Sequence, residues 1–496
     1  MCHGTDAIVA LMPDTAAFLA EASVLLGPAG LTRDDDLLAP WLSDWRGRYR
    51  GAALAMASPA STRELAGLVA SCARHGVALV PQGGNSGMAG GATPDGSGTA
   101  LLLSLRRINR IRALDTQARQ VTAEAGVVLE TLHGEVAKAG LRFPLTLGGK
   151  GSATVGGLTA TNAGGNQVLR HGTMRAQVLG LEVVLPDGRV LDTLTPLKKD
   201  NRGFDIKQLF IGSEGTLGIV TAATLRLVPA VAARAVLWAG VPSLAGAREL
   251  LLHCQAHEEQ ALEGFEVLPQ PVLDDVLAYL PAAQAPLSAP HPWHALIELV
   301  ADASGADTLP HRSEALLASA FARGLVTDAT IAASEAQAEA LWSLRENVAP
   351  AERAAGTAVQ HDISVAVERM PAFVESASAE VTARFPGTRV AAFGHLGDGN
   401  IHLHVVAPVG TDGPGWVEGE GRAISRLVHD LVVRWAGSIS AEHGIGQVKR
   451  DELARLGDPV ALDLMRRVKQ ALDPQGLLNP GKLVPPEFPA GWPAGR

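Results

Sequence analysis

Residues 148–172, GGKGSATVGGLTATNAGGNQVLRHG, constrain the fold more than any other stretch of this 496-residue chain. Eight of these residues are glycine and none is acidic, and the acid-free run extends from 136 to 181 in a chain with 51 acids and a net charge of −9. Glycine backbones approach a ligand closely, and successive N–H groups in such turns bind anions. We interpret the stretch as a cradle for a diphosphate. The alternative is a flexible surface loop, which the apolar residues spaced through the run argue against.

Two further glycine-rich loops carry the same signal. PQGGNSGMAGG, residues 81–91, follows a predicted strand at 77–80, which itself follows a helix predicted at 62–75 from the capping pair Ser61 and Glu64. FIGSEGTLGIV, residues 210–220, runs into another predicted strand. Neither loop matches a Walker lysine loop or GxGxxG. Three such loops therefore predict one extended, phosphate-bearing ligand, such as a dinucleotide, on a fold that is neither P-loop nor Rossmann.

Composition excludes several classes of function. A pI near 5.9 and 4% aromatic residues argue against a nucleic-acid binder. No apolar run is long enough to span a membrane, and the first residues lack the basic region of a signal peptide. Cys2, Cys72 and Cys254 are far apart and form no CxxC pair, which favours a reducing cytoplasm over a disulfide framework.

A second constellation is typical of a metal site. HLGDGNIHLH places His395 before a turn and puts His402 and His404 on one face of a short strand. SAEHGIG adds Glu442 and His443 in another turn. Imidazoles with one carboxylate suit zinc or another first-row divalent ion with an open position for substrate. The alternative is a set of solvent-facing histidines.

Other charged residues have simpler interpretations. His429 is predicted on the surface of a helix, and His253 and His257 on the solvated face of another. Arg345 follows the apolar residues of LWSLR. Arginine holds carboxylates with two parallel hydrogen bonds, although an ordinary helix salt bridge is the default for one arginine.

Taken together, the three loops with GHLGDGNIHLH, SAEHGIG and LDPQGLLNPGK resemble the FAD-linked D-2-hydroxy-acid dehydrogenases of the vanillyl-alcohol oxidase/p-cresol methylhydroxylase superfamily, over about residues 50–485. The resemblance implies an α+β fold. After a lead-in at 1–57 come a two-subdomain FAD-binding domain of the p-cresol methylhydroxylase type at 58–229, an antiparallel-sheet substrate domain at 230–414, and a C-terminal helical cap contacting the flavin at 415–496.

The resemblance also implies roles for individual residues. His395, His402 and Glu442 would bind a divalent metal, with zinc expected, His443 would be the catalytic base, and Arg345 would bind a substrate carboxylate. FAD would be held non-covalently, because the first loop offers no histidine for a covalent bond. The residues implied in FAD binding are Pro81, Gln82, Gly83, Gly84, Asn85, Ser86, Gly87, Met88, Ala89, Gly148, Ser152, Gly156, Gly157, Thr161, Asn162, Gly164, Gly165, Gly218, Ile219, Val220 and Asn479.

Three positions depart from the hydroxyglutarate-oxidising members of this family. Gln360 stands where a lysine is usual, Ala349 where a threonine is usual, and His404 where an asparagine is usual. Arg345, Gln360 and Ala349 would face the substrate end remote from the hydroxyl. The missing charge and hydroxyl leave the nature of that tail open.

The resemblance implies metal-assisted oxidation of a D-2-hydroxy acid, 2-hydroxyglutarate-like or other, to the 2-oxo acid, with hydride transfer to flavin N5. An electron-transfer flavoprotein or a quinone would accept the electrons, and a homodimer is expected. Alternatives are a D-lactate- or glycolate-type dehydrogenase or oxidase, an NAD(P)H-dependent reductase of the same fold, and a flavoprotein electron-transfer subunit without a small substrate. An electron carrier needs no open His/Glu site beside its flavin.

Overall fold

Residues 14–197 and 199–485 are described by the structure, which is a computed structural model. Residues 1–13, which include Cys2 and most of the N-terminal segment where no signal peptide is expected, lie outside these ranges. Within them the predicted α+β fold is confirmed, with helices packed on separate sheets. No helix in the described ranges is long and apolar enough to cross a membrane.

The first half of the chain forms two main sheets. Its strands are β1 (Leu31–Thr32), β2 (Ala55–Ala57), β3 (Leu79–Gln82), β4 (Leu101–Ser104), β5 (Ile111–Asp115), β6 (Gln120–Glu124), β7 (Leu141–Arg142), β8 (Val178–Val184), β9 (Val190–Asp192), β10 (Ile219–Arg226) and β11 (Val228–Pro229). Strands β2, β4 and β3 are parallel, with β1 antiparallel at the edge. The second sheet is antiparallel in the order β5-β6-β10-β8-β9, and β7 pairs with β11. Each main sheet has its own apolar core, as expected of two subdomains.

The helices of this half include the one predicted at residues 62–75. They are α1 (Thr15–Leu26), α2 (Asp35–Leu38), α3 (Thr62–His75), α4 (Leu129–Ala137), α5 (Val155–Thr161), α6 (Val168–His171) and α7 (Met174–Gln177). At the start of α3 the Ser61 hydroxyl accepts from the Glu64 N–H at 3.2 Å, and the Glu64 carboxylate accepts from the Ala60 N–H at 2.8 Å. Gly76 ends the helix with φ +66°, in the left-handed region that glycine adopts without strain. The chain then enters β3, directly before the first glycine-rich loop.

The second half is built on a seven-stranded antiparallel sheet, as predicted. Its strands are β12 (Ala233–Val241), β13 (Leu262–Pro269), β14 (Trp293–Ala301), β15 (Asp328–Ile331), β16 (Ala358–Ser364), β17 (Arg389–His395) and β18 (Asn400–Val406), in the order β15-β12-β14-β13-β17-β18-β16. Its helices are α8 (Leu244–Glu258), α9 (Gln270–Tyr279), α10 (Leu309–Ala322), α11 (Glu335–Glu346), α12 (Val348–Ala355) and α13 (Met370–Arg384). Apolar residues of α8, α10 and α13 cover one face, and those of α9, α11 and α12 cover the other.

The C-terminal helices connect the two halves. They are α14 (Gly413–Trp416), α15 (Arg422–Arg434), α16 (Arg450–Leu456) and α17 (Pro459–Leu472). After α17 the chain returns to β3, where the Leu79 N–H donates to the Leu477 carbonyl at 2.8 Å and the Asn479 N–H donates to the Leu79 carbonyl at 2.7 Å. The predicted boundary at 229/230 falls between β11 and β12, and the four domain limits stay predictions.

Two histidine predictions are wrong. His429 is 6% exposed on the inward face of α15, with Nδ1 3.0 Å from Glu452 Oε2. His253 is 2% exposed and faces the Arg323 guanidinium at 2.9 Å, whereas His257, one turn later on α8, is exposed as predicted. Both errors arise because a neighbouring helix covers a face that the local sequence pattern marks as polar.

Candidate functional site

The first two glycine-rich loops are in direct backbone contact. A Cβ atom on Gly84 would lie 1.6 Å from the Ser152 carbonyl oxygen, and one on Gly83 would lie 2.3 Å from Thr154 Oγ1. A Cβ on Gly165 would lie 2.3 Å from the Thr146 carbonyl oxygen. Side chains are therefore excluded from these positions, and the glycines are required by packing as well as by any ligand. The alternative of a free surface loop is excluded by these contacts.

The third loop joins the first loop to the SAEHGIG turn. A Cβ on Gly215 would meet the Pro81 ring at 2.5 Å. The Glu214 carboxylate accepts from the Ile445 and Gly446 N–H groups, each at 2.8 Å. Residues from three separate parts of the chain thus converge, and burial raises the pKa of Glu214 against the pull of these N–H donors. By contrast, Gly218 packs against Val183 and Phe210, inside the sheet core.

Two buried side-chain amides, those of Gln82 and Asn479, indicate whether a cofactor could fit among the glycine-rich loops. Gln82 donates through Nε2 to the Trp41 and Ala92 carbonyls, both at 3.0 Å. Asn479 donates through Nδ2 to the Gly91 carbonyl at 2.9 Å and the Glu214 carbonyl at 2.7 Å. The remaining oxygen of each side chain is buried without a hydrogen-bond partner among the described residues. Buried acceptors are rarely left unpaired, so both fit a ligand that brings donors to this position.

His395, His402 and Glu442 meet in one cluster, as the sequence predicted. Their ligand atoms all lie within 4.8 Å of one another. His395 ends β17 and His402 lies on the adjacent strand β18, whereas Glu442 comes from the turn after α15. A Cβ on Gly164 would lie 3.2 Å from Glu442 Oε1, so the cluster borders the central glycine-rich stretch. Two imidazoles and one carboxylate are a suitable donor set for a first-row divalent ion.

Glu266, which carries no sequence signal, fixes the orientation of His395. It lies on β13 with 1% of its surface exposed, and its Oε1 contacts His395 Nδ1 while Oε2 accepts from Arg345 Nε at 2.6 Å. His395 Nε2 is left facing Glu442 Oε1 at 3.9 Å. A carboxylate behind a ligating histidine commonly sets its tautomer in this way. Burial would lower the pKa of His395, but the Glu266 and Glu442 carboxylates raise it to about 9, whereas burial raises the pKa of Glu442 to about 7.

Asp362 is a second carboxylate that the sequence did not single out. It lies on β16, and its Oδ2 accepts from the backbone N–H groups of Glu442 and His443, both at 2.9 Å. Its Oδ1 accepts from Asn400 Nδ2 at 2.9 Å. Burial would raise the pKa of Asp362, but His443 and Lys449 hold it well below its usual range. Because its oxygens are already engaged, Asp362 positions the turn, and the cluster with His395 is the better metal site.

His443 lies against Asp362, with Nδ1 3.4 Å from Oδ2. Burial lowers the pKa of His443 to about 4, although Asp362 acts in the opposite direction. The imidazole is therefore neutral and able to accept a proton. A general base must be neutral before it takes a proton, and the Asp362 carboxylate would stabilise the imidazolium that forms.

Of the residues predicted for the substrate tail, Gln360 lies on the sheet face covered by α11 and α12, and Arg345 and Ala349 lie on those two helices. Gln360 lies opposite His404 in the β16–β18 register, and the His404 ring lies 5.0 Å from the Phe393 ring. His404 Nδ1 contacts the carboxylate of Glu352 on α12, which is 4% exposed. The other oxygen of Glu352, Oε1, is buried without a hydrogen-bond partner in the described part of the chain. Glu352 was missed by the sequence analysis, because one acid in an amphipathic helix has no distinguishing pattern.

Arg345 is already paired through its Nε atom with Glu266. Its guanidinium also lies 5.2 Å from the Phe393 ring. The expected helix salt bridge is therefore a bridge from helix to sheet, which links Arg345 of α11 to His395 of β17 through the buried Glu266 carboxylate. The terminal nitrogens of Arg345 form no hydrogen bond with the described residues, so they are available to a ligand.

Comparison with known proteins covers almost the whole chain. The family described as FAD binding domain matches residues 53–194, and that described as FAD linked oxidases, C-terminal domain, matches residues 231–483. D-2-hydroxyglutarate dehydrogenase, mitochondrial, of Bos taurus is 37% identical over 463 residues, covering 92% of this chain and 82% of that protein. D-2-hydroxyglutarate dehydrogenase of Xanthomonas citri pv. viticola is 38% identical over 453 residues, covering 90% and 94%. Substrate-bound p-cresol methylhydroxylase has a TM-score of 0.70 at 14% identity, covering 94% and 96%; it supports the predicted fold.

Proposed function

This chain belongs to the FAD-linked oxidases, and we propose that it oxidises a D-2-hydroxy acid to the 2-oxo acid at the cluster of His395, His402, Glu442 and His443. The single observation that carries the proposal is the close approach of Gly164, in the central glycine-rich stretch, to the Glu442 carboxylate, where a Cβ on Gly164 would lie 3.2 Å from Oε1. Because of it, a redox cofactor held by the loops and a substrate held at the cluster would be neighbours. The names of the two dehydrogenase relatives support the choice of substrate class.

The proposed roles divide between the glycine-rich loops and the cluster. When bound, FAD supplies the redox chemistry and a divalent cation, zinc in this proposal, supplies Lewis acidity at the hydroxyl and C1 carboxylate of the substrate. The residues predicted for FAD would hold it non-covalently, with Gln82 and Asn479 offering their unpaired oxygens as acceptors. His395, His402 and Glu442 would hold the cation, with Glu266 keeping His395 in orientation.

His443 takes the hydroxyl proton in this proposal. Its neutral ring is fixed by Asp362, which also holds the two backbone N–H groups of the same turn. The substrate would thus lose one proton to His443, and bound FAD would supply the two-electron acceptor for the Cα hydride, so that the 2-oxo acid could leave. Arg345 is oriented by Glu266 so that its terminal nitrogens can bind a substrate carboxylate.

We also propose an electron acceptor and a cellular compartment for the enzyme. An external acceptor, an electron-transfer flavoprotein or a quinone, would reoxidise the flavin. Cys72 and Cys254 are buried free thiols, which supports a reducing compartment such as the cytoplasm. A homodimer stays a prediction.

Anaerobic flavin bleaching tests the proposed function directly. Purified protein should be yellow, should release intact FAD on acid precipitation, and should be bleached by D-2-hydroxy acids but not by their L enantiomers. The panel should contain both enantiomers of 2-hydroxyglutarate, malate and lactate, together with glycolate. Colourless protein that takes up no FAD would contradict the cofactor, and bleaching by L acids alone would contradict the stereochemistry.

Gln360→Lys should shift substrate preference towards an anionic tail. The new ammonium lies on the sheet face shared with His404 and Asp362, and a hydrogen bond between charged groups is worth roughly 1.5–3 kcal/mol, or about tenfold and more in affinity. The measurement is the ratio of kcat/KM for D-2-hydroxyglutarate to that for D-lactate. Gln360→Met, which removes the amide without adding charge, is the control. An unchanged ratio in the lysine variant would show that residue 360 does not lie beside the substrate tail.

A further inference from the structure

Glu263, on β13 of the second half, joins that half to the first half of the chain. It is 2% exposed, and its carboxylate accepts hydrogen bonds from two arginines. Arg142 of β7 donates through Nη1 to Oε1 and through Nη2 to Oε2, the latter at 3.0 Å. Arg170 of α6 donates through Nη1 to Oε2 at 3.0 Å, and His171 Nε2 lies 3.6 Å from the same oxygen. One buried carboxylate therefore holds a strand and a helix of the other half.

The charge of Glu263 makes this connection specific. Burial would raise the pKa of Glu263, but the hydrogen bonds from His171 and Arg142 lower it to about 2, so the carboxylate is ionised. An arginine that binds both oxygens of a carboxylate fixes direction as well as distance, because the guanidinium is planar. Removal of the charge would leave two partly buried arginines without their common counter-charge, which is strongly unfavourable.

The helix that Glu263 holds also contacts the candidate site. A Cβ on Gly397, in the turn that links β17 to β18, would lie 2.8 Å from both methyl carbons of Leu169, so α6 packs directly against this turn. A Cβ on Gly164, in the segment that leads into α6, would lie 3.2 Å from Glu442 Oε1. Residues 164–171 thus touch the candidate metal site at two points and Glu263 at a third.

Strand β13 connects the same two regions from the other side. Glu266, three residues after Glu263 on this strand, contacts His395 Nδ1. Between the two carboxylates, a Cβ on Gly264 would lie 3.9 Å from the Asn166 carbonyl oxygen of the glycine-rich stretch. One strand therefore orients a proposed metal ligand and also anchors the stretch that is proposed to hold the cofactor.

We propose that Glu263 is a positioning residue that holds α6, through Arg170, in a fixed place against the turn between β17 and β18. It would thereby set the distance between a redox cofactor on the glycine-rich loops and a substrate at the candidate metal cluster. The inference deepens the proposed function and rests on it for the identity of both ligands. Glu263 touches neither ligand in this proposal and acts only through Arg142 and Arg170.

Glu263→Gln tests the proposal in the full-length holoenzyme. The change keeps the size of the side chain but removes the charge that the two arginines share. The rate constant of anaerobic flavin reduction by a saturating D-2-hydroxy acid should fall about 10- to 100-fold, because a displacement of about 1 Å between reacting groups can lower a rate about 10²-fold. Substrate affinity from the same titration should change little, since the proposed substrate contacts remain.

Two further variants keep the test decisive if Glu263→Gln folds poorly. Arg170→Gln removes only the donor on α6 and leaves the pair of Arg142 with Glu263, so it should lower the rate constant in the same direction. Glu263→Asp keeps the charge on a shorter side chain and should recover part of the rate. Wild-type rate constants in both Glu263→Gln and Arg170→Gln, or in Arg170→Gln alone where the first variant does not fold, would overturn the proposal.

Glu258→Gln is the matched control. Glu258 is 7% exposed and accepts from Arg312 through Nε at 3.0 Å and also through Nη2, but the helices that carry the pair, α8 and α10, both belong to the second half. This variant loses a buried ion pair of the same kind without freeing α6, so its rate constant of flavin reduction should equal that of wild type. A protein that is merely less stable would show a smaller amplitude of reduction at an unaltered rate constant.

Hydrogen exchange of the backbone amides of α6 gives a readout that does not depend on turnover. These amides should exchange faster in Glu263→Gln than in wild type, and at the wild-type rate in Glu258→Gln. Slower flavin reduction without faster exchange in Glu263→Gln would mean that Glu263 acts on the site by another route, and would contradict the proposal. If no D-2-hydroxy acid reduces the flavin of wild type, the proposed function fails, and the exchange comparison alone decides whether Glu263 holds α6.

Discussion

Removal of divalent metal should lower turnover by about 10³-fold or more while leaving FAD bound. The three proposed ligands, His395, His402 and Glu442, lie outside the glycine-rich loops, although Glu442 borders Gly164. A Lewis acid at a developing alkoxide contributes several kcal/mol, and each 1.4 kcal/mol is a factor of ten in rate. The measurement is D-2-hydroxy-acid oxidation before and after chelation, with metal content by elemental analysis and flavin content by absorbance. Addition of one equivalent of zinc should restore activity.

A histidine pair provides the control for this prediction. His402→Gln removes one ligand and should reproduce the effect of the chelator. His257→Gln makes the same chemical change at an exposed position of α8 and should alter neither metal content nor rate. Full activity in a metal-free preparation would show that the reaction does not need a metal. The cluster of His395, His402 and Glu442 would then have no metal-binding role in turnover.

The parts of the site that the sequence predicted are those with a local signal. Glycine-rich loops, capping residues and closely spaced histidines determine short-range geometry, and the structure brings Gly83, Gly84 and Gly165 into backbone contacts that no other residue allows. The alternation of His402 and His404 placed both on one strand face, close to Phe393. The histidines that the sequence placed together are only two residues apart. At the loops, the glycine residue indicates by its lack of a side chain that another backbone lies close to it.

The carboxylates that organise the site were not predictable in the same way. Glu266 and Asp362 are acids within strands of the large sheet, and each acquires its role only when that sheet places it beside a histidine from another strand or turn. Glu352 becomes significant because α12 packs over His404. Long-range pairing, which the sequence of one chain does not display, decides the role of all three carboxylates.

His443→Asn should reduce kcat by about 10²–10⁴, the usual contribution of general acid–base catalysis, with both FAD and metal retained. Asparagine keeps approximate size and polarity but cannot take a proton at neutral pH. The backbone N–H groups of Glu442 and His443 still bond to Asp362, so the turn should keep its shape. The measurement is the anaerobic rate of flavin reduction at saturating substrate.

Comparison with two further variants makes the assignment of the base specific. Asp362→Asn weakens the support of the whole turn, so it should lower metal content as well as rate, whereas His443→Asn should lower the rate alone. His404→Asn tests the other imidazole near the substrate; because His404 is held by Glu352, its loss should change substrate affinity more than kcat. A near-wild-type rate in His443→Asn, together with a large fall in kcat for His404→Asn, would transfer the role of base to His404. If both variants retain the rate, the hydroxyl proton leaves by a route that uses neither imidazole.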